Sequence, residues 1–265
     1  MAKLSIAQAA SYYPPDFGGI ESYVYNISIR MARKGHRVVV LTSEHPRCSQ
    51  VEVVEGVEVR RLGVAKKFFG FPLMPSLPTQ IASEDFDVVH GHINAPLVVD
   101  LAALASKASH TPLVVTYHAD LLPEEVAEGN IALAKALSVV YDTSIKRWVL
   151  RQARAIIATT PLYASTSPYL RKFLQKVRIA PVGVDVEHFK PMREEGVRED
   201  LGIPKDLRVV LFVGRMVAYK ALDILLAAFA KLAKAVDDVA LVLVGEGPRK
   251  SWASALARLI CKATR

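Results

Sequence analysis

Short apolar runs rich in valine and isoleucine alternate with helix-length amphipathic segments along this chain of 265 residues. That alternation predicts an α/β fold: a mostly parallel sheet with helices on both faces. Strands are expected at Leu4–Ala10, Arg37–Thr42, Asp87–His90, Leu113–Tyr117, Ala155–Ala158 and Val177–Ala180. Helices are expected at Ile20–Lys34, Ala95–Ser106, Ile131–Gln152 and near Ser165–Leu174. In the first of these, Ile20, Tyr23, Val24, Ile27 and Met31 fall on one face. Val51–Leu62 reads as a hairpin about Glu55-Gly56, and Lys66–Pro78 as a loop.

From Pro181 to Pro204 the chain reads as a connector with turn-forming prolines and the charged run Arg193-Glu194-Glu195. A second α/β unit follows: strand Arg208–Val213, helix Leu222–Ala235, strand Ala240–Val244 and a helix from about Arg249. The expected division is a complete amino-terminal domain over 1–183, a connector over 184–206 and a partial domain over 207–265. Doubly wound sheets run to about 5–6 strands, so a two-stranded unit reads as part of a domain with an uncovered sheet edge.

The net charge of +8 favours anionic partners, and phosphate, nucleic acid or an acidic membrane surface all qualify. Cys48 and Cys261 lie far apart without a CxxC pair, which implies neither a disulfide framework nor a zinc site. No apolar run approaches the roughly 18 residues of a membrane span. The expectation is a cytoplasmic protein, with peripheral membrane association as a further option. For that option the candidate is Lys66-Lys67-Phe68-Phe69-Gly70-Phe71, where aromatics adjoin two lysines. The alternative is that these aromatics complete the core.

Two places suggest ligand chemistry. At Val213-Gly214-Arg215, a buried strand ends in a turn, and Lys220 stands at the head of the next helix. Strand ends that lead into helix amino termini favour anions through backbone N–H groups and the helix dipole; a plain surface turn is the competing reading. At Phe17-Gly18-Gly19-Ile20, two glycines allow a backbone to come close to a ligand or simply form a tight turn. His90 and His92 flank Gly91 without an acidic or cysteine companion at ligand spacing, so no metal site is predicted.

Seven motifs occur in order between about Lys3 and Pro248. They are Gly18-Gly19-Ile20-Glu21-x-Tyr23-Val24, Gly35-His36-Arg37-Val38-x-Val40, Asp87-Val88-Val89-His90-Gly91-His92 and Thr116-Tyr117-His118-Ala119-Asp120. Pro181-Val182-Gly183-Val184-Asp185, Gly214-Arg215-x-x-x-x-Lys220 and Gly245-Glu246-Gly247-Pro248 complete the series. The succession resembles glycosyltransferase family 4, retaining enzymes of the GT-B fold with two Rossmann-like domains. Here the second domain reads as truncated, because the resemblance implies a donor domain that continues past Pro248 with a Pro-Ser-x-x-Glu segment.

The resemblance implies hexose transfer from a nucleotide-diphosphate sugar to a hydroxyl acceptor, such as a glycolipid or polysaccharide precursor. It implies no cofactor, no metal and no nucleic acid. Gly18 and Gly19 would approach the donor phosphates in an inter-domain cleft. Gly214, Arg215 and Lys220 would hold the diphosphate, whose charge grows as the sugar leaves. Gly245 and Glu246 would lie near the nucleoside, and His118 would orient the transferred sugar as the catalytic residue. Tyr13 and Asp16, in the loop before the first helix, are the implied acceptor contacts, and Asp185 falls in a hinge motif. Val182 replaces the family's usual asparagine. Ala221 replaces the usual glycine after Lys220, with little expected effect on a first helical turn. The alternatives are a catalytically incomplete binding or partner-docking module, half of a split enzyme, or an epimerase or phosphorylase on the same fold.

Overall fold

The computed structural model describes residues 2–16, 18–68, 70–93, 96–120, 131–191 and 196–263. Phe17, Phe69, Ala95, the run Arg193-Glu194-Glu195 and the side chains of Leu259 and Ile260 lie outside the described residues. The chain divides into two compact units, Met1–Gly183 and Val184–Arg265.

The first unit begins with β1 (Ser5–Ala9), α1 (Gly19–Arg33), β2 (Arg37–Ser43), β3 (Val51–Val54) and β4 (Val57–Leu62). It continues with β5 (Lys66–Phe68), β6 (Phe71–Leu73), α2 (Leu77–Ala82), β7 (Val88–Ile93), α3 (Val98–Ala108) and β8 (Leu113–Tyr117). It closes with α4 (Ile131–Thr143), α5 (Ile145–Gln152), β9 (Ala155–Ala158), α6 (Pro161–Thr166) and β10 (Val177–Ile179). Eight strands form one sheet in the order β10-β9-β8-β7-β1-β2-β4-β3. Every pairing is parallel except β3 with β4, which turn back through Glu55 and Gly56, both at positive φ. The chain builds outward from β1 on one side, then crosses over to β7 on the other. The strand order therefore reverses between β1 and β7, and in such sheets ligands bind at the carboxyl ends flanking the reversal.

Three local expectations are corrected. Within the expected loop, Lys66–Phe68 and Phe71–Leu73 form the antiparallel ribbon β5–β6, with Phe68 opposite Phe71. The long helix predicted over Ile131–Gln152 is two helices that meet at Ser144. The helix expected near Ser165–Leu174 stops at Thr166, and 3-10 turns at Leu170–Lys172 and Leu174–Lys176 follow. Ser167 is extended there because it precedes Pro168, whose ring disfavours the helical region for its neighbour.

The sheet carries an apolar core on each face. One includes Val99, Ala102 and Ala103 of α3 with Val149 and Leu150 of α5, against Val89, Val115 and Ile156. The other lies under α1, where Val24 and Ile29 pack on Val38, Val40, Val57 and Val59, with Ile20, Tyr23 and Met31 at its margin.

In the second unit, α7 (Val197–Asp200) precedes β11 (Arg208–Val213), α8 (Leu222–Ala235), β12 (Val239–Val244) and α9 (Lys250–Ala263). β11 and β12 pair in parallel, with Phe212 opposite Leu243. Phe212, Leu241 and Leu243 pack with Met216, Leu222, Leu226 and Ala253. On the opposite sheet face, Leu211, Val213 and Val244 are exposed.

Ala221 is the residue before α8 and is left-handed, with φ 52° and ψ 43°. This corrects the expectation that it sits harmlessly on a first helical turn. An L-residue pays about 1–2 kcal/mol in that region, partly offset by the greater unfolded-state freedom a glycine would bring. Ala221→Gly is expected to stabilise the second unit by about 0.5–1 kcal/mol. A denaturation midpoint that stays put or falls would show that the turn is not strained.

Candidate functional site

A row of polar side chains crosses the α1 face of the first unit's sheet at the order reversal. In a parallel strand, alternate residues share a face, so Gln8 of β1, His90 and His92 of β7, and Thr116 with the adjoining His118 of β8 line up. Gly91 points to the other face, where a Cβ would come within 2.8 Å of Val99 Cγ2; the glycine lets α3 pack closely. Gln8, His90, His92 and Thr116 are all buried, and His118 is half-buried at the strand's carboxyl end.

Three hydrogen bonds tie the row together, while Gln8 Nε2 has no partner among the described residues. His90 Nε2 lies 2.8 Å from Thr116 Oγ1, His92 Nε2 lies 2.9 Å from Gln8 Oε1, and His92 Nδ1 lies 3.1 Å from His118 Nε2. The rings of His90 and His92 are 4.5 Å apart, those of His92 and His118 5.4 Å and nearly parallel. Tyr23 of α1 meets His118 edge-on at 5.0 Å. Burial holds all three imidazoles neutral: His90 and His118 are pushed down to about 4, and His92 well below the ordinary value of 6.5. His118 therefore offers a neutral ring at the edge where ligands bind in such sheets.

A second network frames the segment carrying His118. Tyr117 OH donates to Asp120 Oδ1, Ser167 Oγ donates to the same oxygen at 3.3 Å, and Asp120 N donates to Tyr163 OH at 2.5 Å. Below Tyr117 lies the ion pair of Lys146 with Asp142, buried to 1% and 6% exposure, with Nζ 2.5 Å from Oδ1. Lys146 Nζ also stands 4.2 Å above the Tyr169 ring and 5.7 Å from that of Tyr117. Nothing in the sequence marked this pair, because Asp142 and Lys146 read as one turn of a solvated helix.

The loop after β1 runs beside this row. Arg61, buried in β4, holds it from below, donating to Pro14 O at 2.6 Å and to Glu52 Oε1 at 2.7 Å. Tyr13 is a core residue at 1% exposure; its ring packs 5.9 Å from that of Tyr25 and its hydroxyl has no partner among the described residues. Contact with an acceptor would require Tyr13 to leave that packing, whereas Asp16 is half-buried on the loop. Gly18 is extended and caps α1, and a Cβ on it would meet Glu21 Oε2 at 2.2 Å. At Gly19 a Cβ would meet nothing within 4 Å, so packing does not explain that glycine.

In the second unit, two turns are joined beyond the ends of β11 and β12. Gly214 N donates to Val244 O (2.9 Å), Met216 N to Glu246 O (2.8 Å) and Arg249 N to Met216 O (3.0 Å). Gly245 has φ 152°, and a Cβ there would lie 1.9 Å from Gly214 O; at Gly247, φ 151°, it would lie 2.5 Å from Met216 O. Both glycines are thus needed for backbone-on-backbone packing. Met216 is buried under the turn, while Arg215 and Lys220 are exposed. Among the described residues neither cation has a carboxylate partner; Lys220 Nζ lies 5.4 Å from the Tyr219 ring. Glu246, by contrast, pairs with Lys250. Asp185 forms a turn, its Oδ1 accepting from Glu187 N and His188 N at 3.1 and 3.2 Å.

Comparison with known proteins bears on the family and the fold. Residues 17–188 match the family described as Glycosyltransferase Family 4, and residues 194–260 match Glycosyl transferases group 1. The O-antigen chain mannosyltransferase C of Escherichia coli is 29% identical over 90% of this chain and 59% of its own length. The D-rhamnosyltransferase WbpZ of Pseudomonas aeruginosa is 32% identical over 90% of this chain and 58% of its own length. The chain thus spans somewhat more than half the length of these two relatives. In fold it is similar to Anabaena HepE, solved in complex with UDP and glucose: the TM-score is 0.69 at 19% identity, covering 98% of this chain and 66% of that one. The chain therefore belongs to the GT-B glycosyltransferases, in the family described as Glycosyltransferase Family 4.

Proposed function

We propose that this chain serves the transfer of a hexose from a nucleotide-diphosphate sugar to a hydroxyl acceptor, with retention at the anomeric carbon. The observation that carries the reading is the turn after β11. It sets two exposed cations, Arg215 and Lys220, without carboxylate partners among the described residues, at the amino end of α8. Fixed positive charge there would neutralise the diphosphate as it leaves. The same reading gives His118 the task of orienting the sugar, and assigns charge neutralisation to Arg215 and Lys220 without a metal or cofactor. Relatives named as mannosyl- and rhamnosyltransferases, and a structural neighbour solved with UDP and glucose, support the donor class. Gly19, open where packing requires no glycine, supports close approach of a ligand to the loop after β1.

Titration of the purified chain with nucleoside diphosphates and their sugars tests the proposal. Charge-assisted hydrogen bonds contribute about 1.5–3 kcal/mol, so Arg215→Ala and Lys220→Ala should each weaken binding by roughly 10- to 100-fold. Equal affinity in both variants would exclude the turn as the diphosphate site.

A lipid-linked acceptor and peripheral attachment to an anionic membrane belong to the same proposal. No helix among the described residues is long and apolar enough to cross a membrane. The surface offered is the β5–β6 ribbon, where Lys66 and Lys67 are exposed and Phe68 is 41% exposed. Lys66 Nζ lies 5.1 Å from the Phe68 ring, and Tyr12 OH donates to Gly70 O, tying the ribbon to the loop after β1. Phe68→Ser should reduce sedimentation with anionic liposomes several-fold; unchanged binding in a folded variant would remove the idea.

A further inference from the structure

We infer that His92 and Gln8 are positioning residues for His118: together they dictate which of its ring nitrogens carries the proton. The inference rests on the proposed role of His118 beside the transferred sugar, but its geometry stands apart from that role.

A neutral imidazole has one N–H and one lone pair, so each hydrogen bond it makes decides the other. Gln8 Oε1 can only accept. It is 2.9 Å from His92 Nε2, while Gln8 Nε2 has no partner among the described residues; with the amide in this orientation His92 carries its proton on Nε2. His92 Nδ1 is then a lone pair, and the group 3.1 Å away, His118 Nε2, must donate to it. His118 Nδ1 is left as an acceptor, with no partner among the described residues. The order Gln8–His92–His118 therefore presents a lone pair, and not an N–H, on the free nitrogen of the half-buried ring. A sugar hydroxyl could donate to that nitrogen; a ring in the other tautomer would instead present a donor.

The relay is rigid because its middle member cannot reorient. His92 is buried, both its nitrogens are occupied, and its ring lies between those of His90 and His118 with Tyr23 edge-on at 5.9 Å. His90 is outside the relay, since its Nε2 is engaged by Thr116. The geometry also accounts for buried polar side chains on strands whose other face is wholly apolar around Ala7, Ala9 and Val89. Burying them is costly unless they are hydrogen-bonded; the bonds of Gln8 and His92 lead to His118, and that of His90 goes to Thr116.

The test is the tautomer of His118 in the purified chain, read from the nitrogen chemical shifts and couplings of its ring at neutral pH. This readout needs no donor, acceptor or turnover. Wild type should show the proton on Nε2. Gln8→Glu keeps an acceptor opposite His92 and should leave that state unchanged. Gln8→Leu removes the acceptor, so His92 is freed to move its proton to Nδ1, and His118 should shift towards Nδ1–H. His92→Phe should leave a mixture of the two forms, and His92→Asn, which restores an acceptor near the Nδ1 position, should recover the Nε2–H form in part. Thermal melts would confirm that each variant is folded; should His92→Phe fail to fold, the Gln8→Glu and Gln8→Leu pair decides alone. The same His118 tautomer in wild type, Gln8→Leu and any folded His92 variant would overturn the inference, as would a wild-type proton on Nδ1. Absence of nucleotide-sugar binding by wild type, with the tautomer shift intact across the variants, would instead defeat the functional reading and leave the relay standing.

Discussion

Gly245→Ala should unfold most of the second unit. The added Cβ would lie 1.9 Å from Gly214 O, a backbone atom that no side-chain rotation can clear. At φ 152° the L-residue is strained as well. Strain of this type costs about 1–3 kcal/mol and overpacking another 1–3, so a loss of roughly 3 kcal/mol or more is expected. The two turns would separate, breaking the bonds from Gly214 N and Met216 N that continue the β11–β12 ladder past its ends. Hydrogen exchange by mass spectrometry should show lost protection over Arg208–Val244, with the first unit's sheet unchanged. Gly183→Ala is the control, since a Cβ there meets nothing within 4 Å. Matching denaturation midpoints for Gly245→Ala and the control would show that the close approach is not real.

The second large effect is expected in the first unit. Asp142→Ala would leave Lys146, at 1% exposure, without its counter-charge. Removing one partner of a buried pair typically costs 3–5 kcal/mol, whereas replacing both with apolar groups of similar volume is often neutral or stabilising. The expected series is therefore a loss of about 3–5 kcal/mol for Asp142→Ala and near-complete recovery for Asp142→Leu with Lys146→Met, measured by chemical denaturation. A loss below about 1 kcal/mol would place the pair among solvated ones. Lys146 Nζ faces the rings of Tyr117 and Tyr169, so loss of the pair should also loosen the segment that carries His118.

Much of this was legible in the residues. The strands at Ser5–Ala9, Arg37–Ser43 and Leu113–Tyr117, and the helix Leu222–Ala235, lie within a residue or two of where the apolar pattern predicted them. Their periodicity is a local property, visible without knowledge of what the element packs against. Misreadings arose where a local signal was weak or outweighed. The Lys66–Pro78 stretch has too few strand residues to announce a three-residue ribbon, and the helical pattern over Ile131–Gln152 is continuous although the chain turns at Ser144. Ala221 reads as helical from its neighbours, whereas its conformation is that of the turn before the helix.

The candidate site divides in the same way. Gly214, Arg215 and Lys220 lie within a few residues of one another, so a strand, a turn and a helix start could be recognised together from the sequence. That pattern alone carries the expectation of phosphate. Gln8, His92 and His118 are separated by 84 and 26 positions. They become neighbours only because the crossover sets β1, β7 and β8 side by side in register. Gly245 carries the same lesson, since its requirement for glycine arises from a carbonyl on another strand's turn. Sequence alone determined the α/β class, the alternation of elements and the cationic turn, because hydrophobic period and turn chemistry act over a few residues. Tertiary structure decided the histidine relay, the buried Asp142–Lys146 pair and the role of the glycines, because strand order and close packing join atoms that the chain itself keeps apart.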